Sequence, residues 1–171
     1  RQAHWEAAGA APLPGLLAAA RVGEAALPLA APAEGEDIVA DYATLGFSLG
    51  RHPLALLRAR LERLRFLPAA TVAACANRKL VRAVGLVTCR QRPDTASGVM
   101  FVTLEDETGC TNVIVHRALI ERQRRELLGA RLLGVYGVLQ REGEVVHLIA
   151  KRLVDHSHLL GALAPRSRNF H

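Results

Sequence analysis

The rhythm of apolar and polar positions changes near residue 78. Before that point the spacing is helical. "EDIVADYATLG" opens on acids suited to a helix N-terminus and sets Ile38, Val39, Tyr42 and Leu45 on one side, with Gly46 as the stop. After "FSLGRHP", Pro53 stands at a first helical position, and Leu54, Leu57, Leu61 and Leu64 recur at helical intervals through "LALLRARLERL". The pattern predicts a two-helix unit over about residues 36–66. Its arginines, Arg58, Arg60, Arg63 and Arg65, spread around the helix, as on a solvated face and not as in a binding stripe. Upstream, "RQAHWEAA" reads as the end of a helix anchored by Trp5, and the Ala-, Pro-, Gly- and Leu-rich stretch from Gly9 to Gly35 as a linker or short helices.

Beyond Asn77 the period becomes two. "KLVRAVGLVTCR", with Gly85 at a sharp bend, "GVMFVTLED", "CTNVIVH", "RLLGVYGVLQR" and "EVVHLIAKR" read as five strands. Between the third and fourth, "RALIERQRRELLG" predicts one amphipathic helix with Ile120, Leu127 and Leu128 on its apolar side and Gly129 at its end. Five strands with a helix inserted after the third is the order of an OB-fold β-barrel. The expected class is therefore α+β: an OB barrel over residues 78–152, preceded by a helical segment over 36–77 and an upstream linker over 1–35, and followed by a helix or tail over 153–171.

Charge changes the picture by where it sits. The chain has 22 Lys and Arg against 16 Asp and Glu. Residues 1–77 are balanced at seven of each, 78–152 carry thirteen bases and eight acids, and 153–171 add a net +1. Positive charge confined to the barrel segment is the pattern of a domain that meets phosphates. The acidic cluster Glu105-Asp106-Glu107 inside that segment is expected to be a turn. Asp106 would accept from the backbone two residues on, and Gly109 would take the positive φ of a tight hairpin. Adjacent acids point apart on a strand, which is wrong for a shared metal.

Cys75, Cys89 and Cys110, three in number and without a C-x-x-C pair, suggest neither a disulfide framework nor a structural zinc site but small buried residues in a reducing compartment. No run approaches the roughly 20 apolar residues of a membrane-spanning helix. The expected location is cytoplasmic, and the opening on Arg1 suggests a piece of a longer polypeptide.

Candidate binding residues follow from the barrel. In OB folds, the face of strands two and three and the loops joining strands one to two and four to five grip single-stranded nucleic acid or oligosaccharide. Here those loops are "RQRPDTASG", with Arg90 and Arg92, and "QREGE", with Arg141. Phe101 points outward on strand two by parity and would stack on a base, unless it packs under the long loop. Thr103, His147 and Lys151 are weaker candidates by the same parity, and histidines placed like His147 and His116 are more often ordinary strand residues than ligands. Aromatic residues make up only 4% of the chain, too few for a platform holding many bases. Neither a phosphate-cradling Gly-rich loop nor a catalytic constellation is visible, so the segment reads as a binding module.

The stretch "VRAVGLVTCRQRPDTASGVMFVTLEDETGCTNVIVH", then "LLGARLLGVYGVLQREGEVVHLIAKRLVDHSHLLGAL" and the closing "RSRNFH", resembles the C-terminal end of the error-prone DnaE-type DNA polymerases, the ImuC family. "DYATLGFSLGRHPLALLR" resembles the segment before the OB domain there, and "RQAHWE" the end of a helix-hairpin-helix region. The resemblance implies a translesion polymerase of damage-induced mutagenesis acting with ImuA and ImuB. Its palm-domain aspartates would bind two magnesium ions outside residues 1–171, and His171 would be the natural C-terminus. It implies no catalytic residue and no cofactor within this segment. Three readings follow: a grip on single-stranded template DNA, a docking module for ImuB or another subunit through an exposed strand or the tail with Phe170 as anchor, and, more remotely, an anticodon-binding domain of a tRNA synthetase.

Overall fold

The structure is a computed structural model that describes Ile38, Asp41, residues 50–93 and 98–161, and the backbone of residues 168–170. The upstream linker, the "RQAHWE" stretch and most of the first expected helix lie outside the described residues; Ile38 and Asp41 are helical, and Ile38 is buried. All described residues belong to the compact unit Glu34–His171.

Helix α1 spans Pro53–Arg63. The His52 ring caps it, Nδ1 accepting from the Leu54 amide at 3.1 Å, and Pro53 opens it where an amide would have no helical partner. Leu54 and Leu61 are fully buried as their spacing demands, whereas Leu64 lies past the last helical residue and is 42% exposed. The expected stripe is thus one residue too long. Arg65 turns the chain through a left-handed conformation, φ 62°, and drops Phe66 into the core. A second short helix, α2 at Ala69–Ala74, was not legible in the periodicity.

The barrel comprises β1 (Leu80–Gln91), β2 (Met100–Asp106), β3 (Gly109–Val115), β4 (Leu132–Glu142) and β5 (Val145–Asp155). The order β2-β3-β5-β4-β1 closes through β1 pairing with β2, which is the OB topology. β1 serves both sheets. It pairs with β4 from Leu80 to Leu86 and with β2 from Leu86 to Gln91, past a bulge between Val87 and Cys89. The bend falls where the sequence marks it: a Cβ on Gly85 would stand 2.8 Å from the Leu104 Cβ and 2.9 Å from the Glu105 backbone. Inward-facing residues of the strands, among them Val102, Leu104, Val113, Leu148 and Leu153, fill the interior.

Between β3 and β4 the single expected helix is two, α3 (Arg117–Arg122) and α4 (Arg124–Gly129). Gln123 breaks it. Its amide group pairs with β5 on both sides, Nε2 donating to the Leu153 carbonyl and Oε1 accepting from the Leu153 amide, each at 2.8 Å. Those two bonds hold Gln123 at φ −123°, outside the helical range. The break turns Leu119, Ile120 and Leu127 inward and leaves Leu128, expected inside, 44% exposed.

A second apolar cluster of Leu54, Leu61, Phe66, Val84, Leu86, Leu132 and Leu160 packs α1 and the 3₁₀ turn Ser157–Leu160 on the outside of the barrel. The helical segment is therefore part of the barrel's body. A short strand, β6 at Arg168–Phe170, lies parallel to Cys89–Gln91 on the edge that β1 frees when it leaves β4.

Candidate nucleic-acid interface

The acidic turn is a structural joint. Asp106 is buried, with one oxygen accepting from the Thr108 amide at 2.8 Å and hydroxyl at 2.7 Å, the Asx-type turn that the sequence predicts. The other oxygen accepts from the Ala69 amide at 2.8 Å and from Arg58 Nη2 at 3.1 Å. Glu107 receives the Arg58 guanidinium on both oxygens. Arg58 is thus not on a solvated face. Burial works against its charge, but its hydrogen bonds and proximity to Glu107 and Asp106 outweigh that and raise its pKa. Among the described residues no group of His, Cys, Asp and Glu side chains is placed to hold a metal ion.

The outer surface of β2, β3, β5 and β4 presents two rungs that strand register makes continuous. Phe101 faces Ile114 across β2 and β3, Ile114 stands beside Ile149 on β5, and Ile149 faces Val138 on β4. These four side chains are half-buried, between inward neighbours that are fully buried. The next rung is polar: Thr103 opposite Asn112, Asn112 beside His147, and His147 opposite Gln140. His147 Nδ1 is buried and meets no hydrogen-bond partner among the described residues. An apolar, aromatic-tipped rung beside a row of amide, hydroxyl and imidazole groups suits a flat, edge-polar ligand such as a base.

The structure sorts the candidate residues. It brings Phe101, Thr103 and His147 together on these rungs, as parity predicts. Lys151 is exposed beyond Ile149, on a groove of about 460 Å³ that also borders Arg78, Gln140 and Arg141. Arg92 is exposed at the start of the loop after β1, of which residues 94–97 lie outside the described residues. Arg90 must be corrected. It is 4% exposed, its Nε donates to the Leu127 carbonyl at 2.8 Å, and its Nη2 donates to the Ala130 carbonyl, so it ties off the end of α4 inside the barrel wall. Burial lowers its pKa. Arg141 is also engaged: its Nη2 donates to the Ala73 and Cys75 carbonyls, closing α2 onto β4. It borders the groove but does not reach into it as a free cation.

Asn112, Ile114, Gln140 and Ile149 were missed. Their signal was available in principle, because parity within each strand and the OB strand order together place them beside Thr103 and Phe101. The register needed to join the rungs was not.

No family model matches the sequence. It is 67% identical over all 171 residues to an error-prone DNA polymerase of Azoarcus sp. (strain BH72), spanning 16% of that protein. It is 62% identical over 170 residues to the error-prone DNA polymerase of Aromatoleum aromaticum, again spanning 16%. Among solved structures it is similar to asparaginyl-tRNA synthetase from Pyrococcus horikoshii complexed with asparaginyl-adenylate. That likeness has 16% identity and a TM-score of 0.46, covers 60% of this chain and 23% of that one, and is too loose to carry an argument. Identity of this order, sustained from end to end, is what a segment of an error-prone DNA polymerase would show, and the chain spans about 16% of the length of these relatives.

Proposed function

We propose that this segment is a single-strand-binding OB module of a translesion DNA polymerase, holding template DNA for a catalytic site carried elsewhere in the parent chain. The observation that carries the reading is the pair of outward rungs, with Phe101 at one end and Lys151 beyond Ile149 on β5. A base stacks on Phe101 and Ile114, its edge meets Thr103, Asn112 and His147, and Arg92 and Lys151 take phosphates. Magnesium-dependent nucleotidyl transfer, with its aspartates, belongs to the portion of the parent outside these residues. Damage-induced mutagenesis, a cytoplasmic location and action beside ImuA and ImuB complete the proposal by family likeness.

Fluorescence anisotropy of a labelled single-stranded DNA, titrated with this chain at several salt concentrations, tests it. Affinity should fall steeply with salt, and Phe101→Ala should weaken binding by about 1–3 kcal/mol, as loss of one stacked base does. Absence of binding at low salt would end the reading for this segment.

One observation favours a second reading. The backbone of β6 already lies as an added strand on the β1 edge, so that edge is suited to strand addition by a protein such as ImuB. Docking of that kind would be nearly indifferent to salt. It would also survive Phe101→Ala.

A further inference from the structure

The β1–β4–β5 face carries a second cluster that the two rungs do not use. β5 is bulged against β4: Tyr136 pairs with Arg152 and Gly137 with Ala150, leaving Lys151 as the extra residue. The bulge breaks the alternation, so Lys151 and Arg152 follow one another into solvent. It also has a sequence requirement. A Cβ on Gly137 would stand 2.4 Å from the Ile149 carbonyl oxygen and 2.8 Å from Leu148, so only glycine fits there.

Tyr136 organises the cations around it. The guanidinium of Arg82 lies 5.0 Å and that of Arg152 5.5 Å from its ring centre, and Phe66 meets the ring edge-on at 5.7 Å. Arg82 also donates to the Leu64 carbonyl at 3.3 Å. Among the described residues neither Arg82, Arg152 nor Lys151 has a carboxylate within ion-pair distance, although Glu126 and Asp155 share a shallow groove with Arg152. A groove of about 450 Å³ runs past Arg65, Leu80, Arg82, Tyr136, Gly137 and Lys151, with Leu80 76% exposed along it. Lys151 borders this groove and the one beside Gln140, so the two meet at that residue.

We propose that this face is a second subsite for the phosphodiester backbone of the same single strand: the strand leaves the stacking rungs over Lys151 and runs along Arg152, Tyr136 and Arg82. Stacking holds each guanidinium plane in place and leaves its N–H edge to a phosphate oxygen, which lowers the ordering cost of the contact. Exposed Leu80 offers an apolar surface to a base or sugar beside those phosphates. The inference rests on the single-strand reading and adds to it a direction of travel and a longer footprint.

The test compares oligothymidylates of about 6 and about 16 nucleotides, within the footprint range of single OB folds, on this chain and on Arg152→Gln. That position is exposed and outside the rungs, and the thermal midpoint should be unchanged. The long oligonucleotide should bind the parent more tightly than the short one. The variant should lose about threefold on the long one, with its salt slope reduced by about 0.7, the value for one phosphate contact, and should leave the short one unaffected. Tyr136→Leu should lower long-oligonucleotide affinity in the same selective way. Equal loss on both lengths, or no loss on either, would overturn the second subsite while leaving the stacking rungs in place. Failure of both lengths to bind the parent would remove both proposals together.

Discussion

At the turn between β2 and β3, Asp106 and Glu107 meet the Arg58 guanidinium and are turned inward; at the bulge on β5, Lys151 and Arg152 pass one after the other into solvent without a carboxylate partner among the described residues. Both places look alike as sequence: short charged runs at the end of, or within, an apolar strand. They differ in what the fold supplies across from them. The turn faces α1 and the start of α2, whose guanidinium and amide neutralise and saturate the acids. The bulge faces water. Charge that is paired inside the molecule holds the molecule together, and charge left open on a shaped surface is what a ligand can use.

The largest effect that would break this comparison is at the turn. Asp106→Ala removes the acceptor for two backbone amides and leaves Arg58, whose side chain is 14% exposed, with Glu107 alone. The expected loss is about 3 kcal/mol in urea unfolding, the range for breaking a buried pair from one side. Lys151→Gln/Arg152→Gln should lie within about 0.5 kcal/mol of the parent, as exposed substitutions do. A small loss at Asp106, or a large one at the bulge, would invert the assignment of the two regions.

Arg90 and Arg92 sharpen the same contrast within three residues of chain. Arg90→Met keeps the apolar stem but strips the carbonyls of Leu127 and Ala130 of their donor, and should cost about 2 kcal/mol of stability. Its DNA affinity, measured on folded protein, should be unchanged. Arg92→Ala should leave the unfolding midpoint alone and weaken DNA binding, with a smaller salt slope. If Arg90→Met instead weakened binding at constant stability, the buried arginine would have to leave its carbonyls to meet the ligand.

The difference between these two arginines marks the limit of what the sequence could tell. The strand order, the bend at Gly85, the Asx turn at Asp106 and the outward parity of Phe101 are local or periodic, and a single chain displays them. Arg90 sits at the end of β1 next to a predicted basic loop, and nothing within its own strand reveals that the last carbonyls of α4, 37 and 40 positions away, wait for it. Arg58 was misplaced for the same reason, with its acids 48 and 49 positions distant. The break at Gln123 depends on β5, and the double exposure of Lys151 and Arg152 on a bulge that strict alternation hides. Long-range pairing was the missing information each time.

The smallest expected effect is on pH, and it separates the two regions by chemistry instead of by mutation. His52 caps α1 through Nδ1, and burial lowers its pKa below 6.5, although Glu105, Glu107 and Asp106 nearby pull the other way. Burial and the neighbouring His158 lower that of His156, which packs edge-on against Phe66, with Asp155 opposing. Between the lowered native value and 6.5 the unfolded chain binds more protons than the folded one. This contribution to stability is therefore complete above 6.5 and is lost as pH falls from there through the folded pKa. The slope is at most about 1.4 kcal/mol per pH unit for each histidine. His52→Asn, which retains a capping side chain, should flatten the stability profile below 6.5. Neither His52 nor His156 belongs to the two rungs or to the bulge, so DNA affinity at constant salt should not weaken where stability does. Parallel loss of both would mean that the helical joint and the binding face are coupled, and the two regions would have to be treated as one.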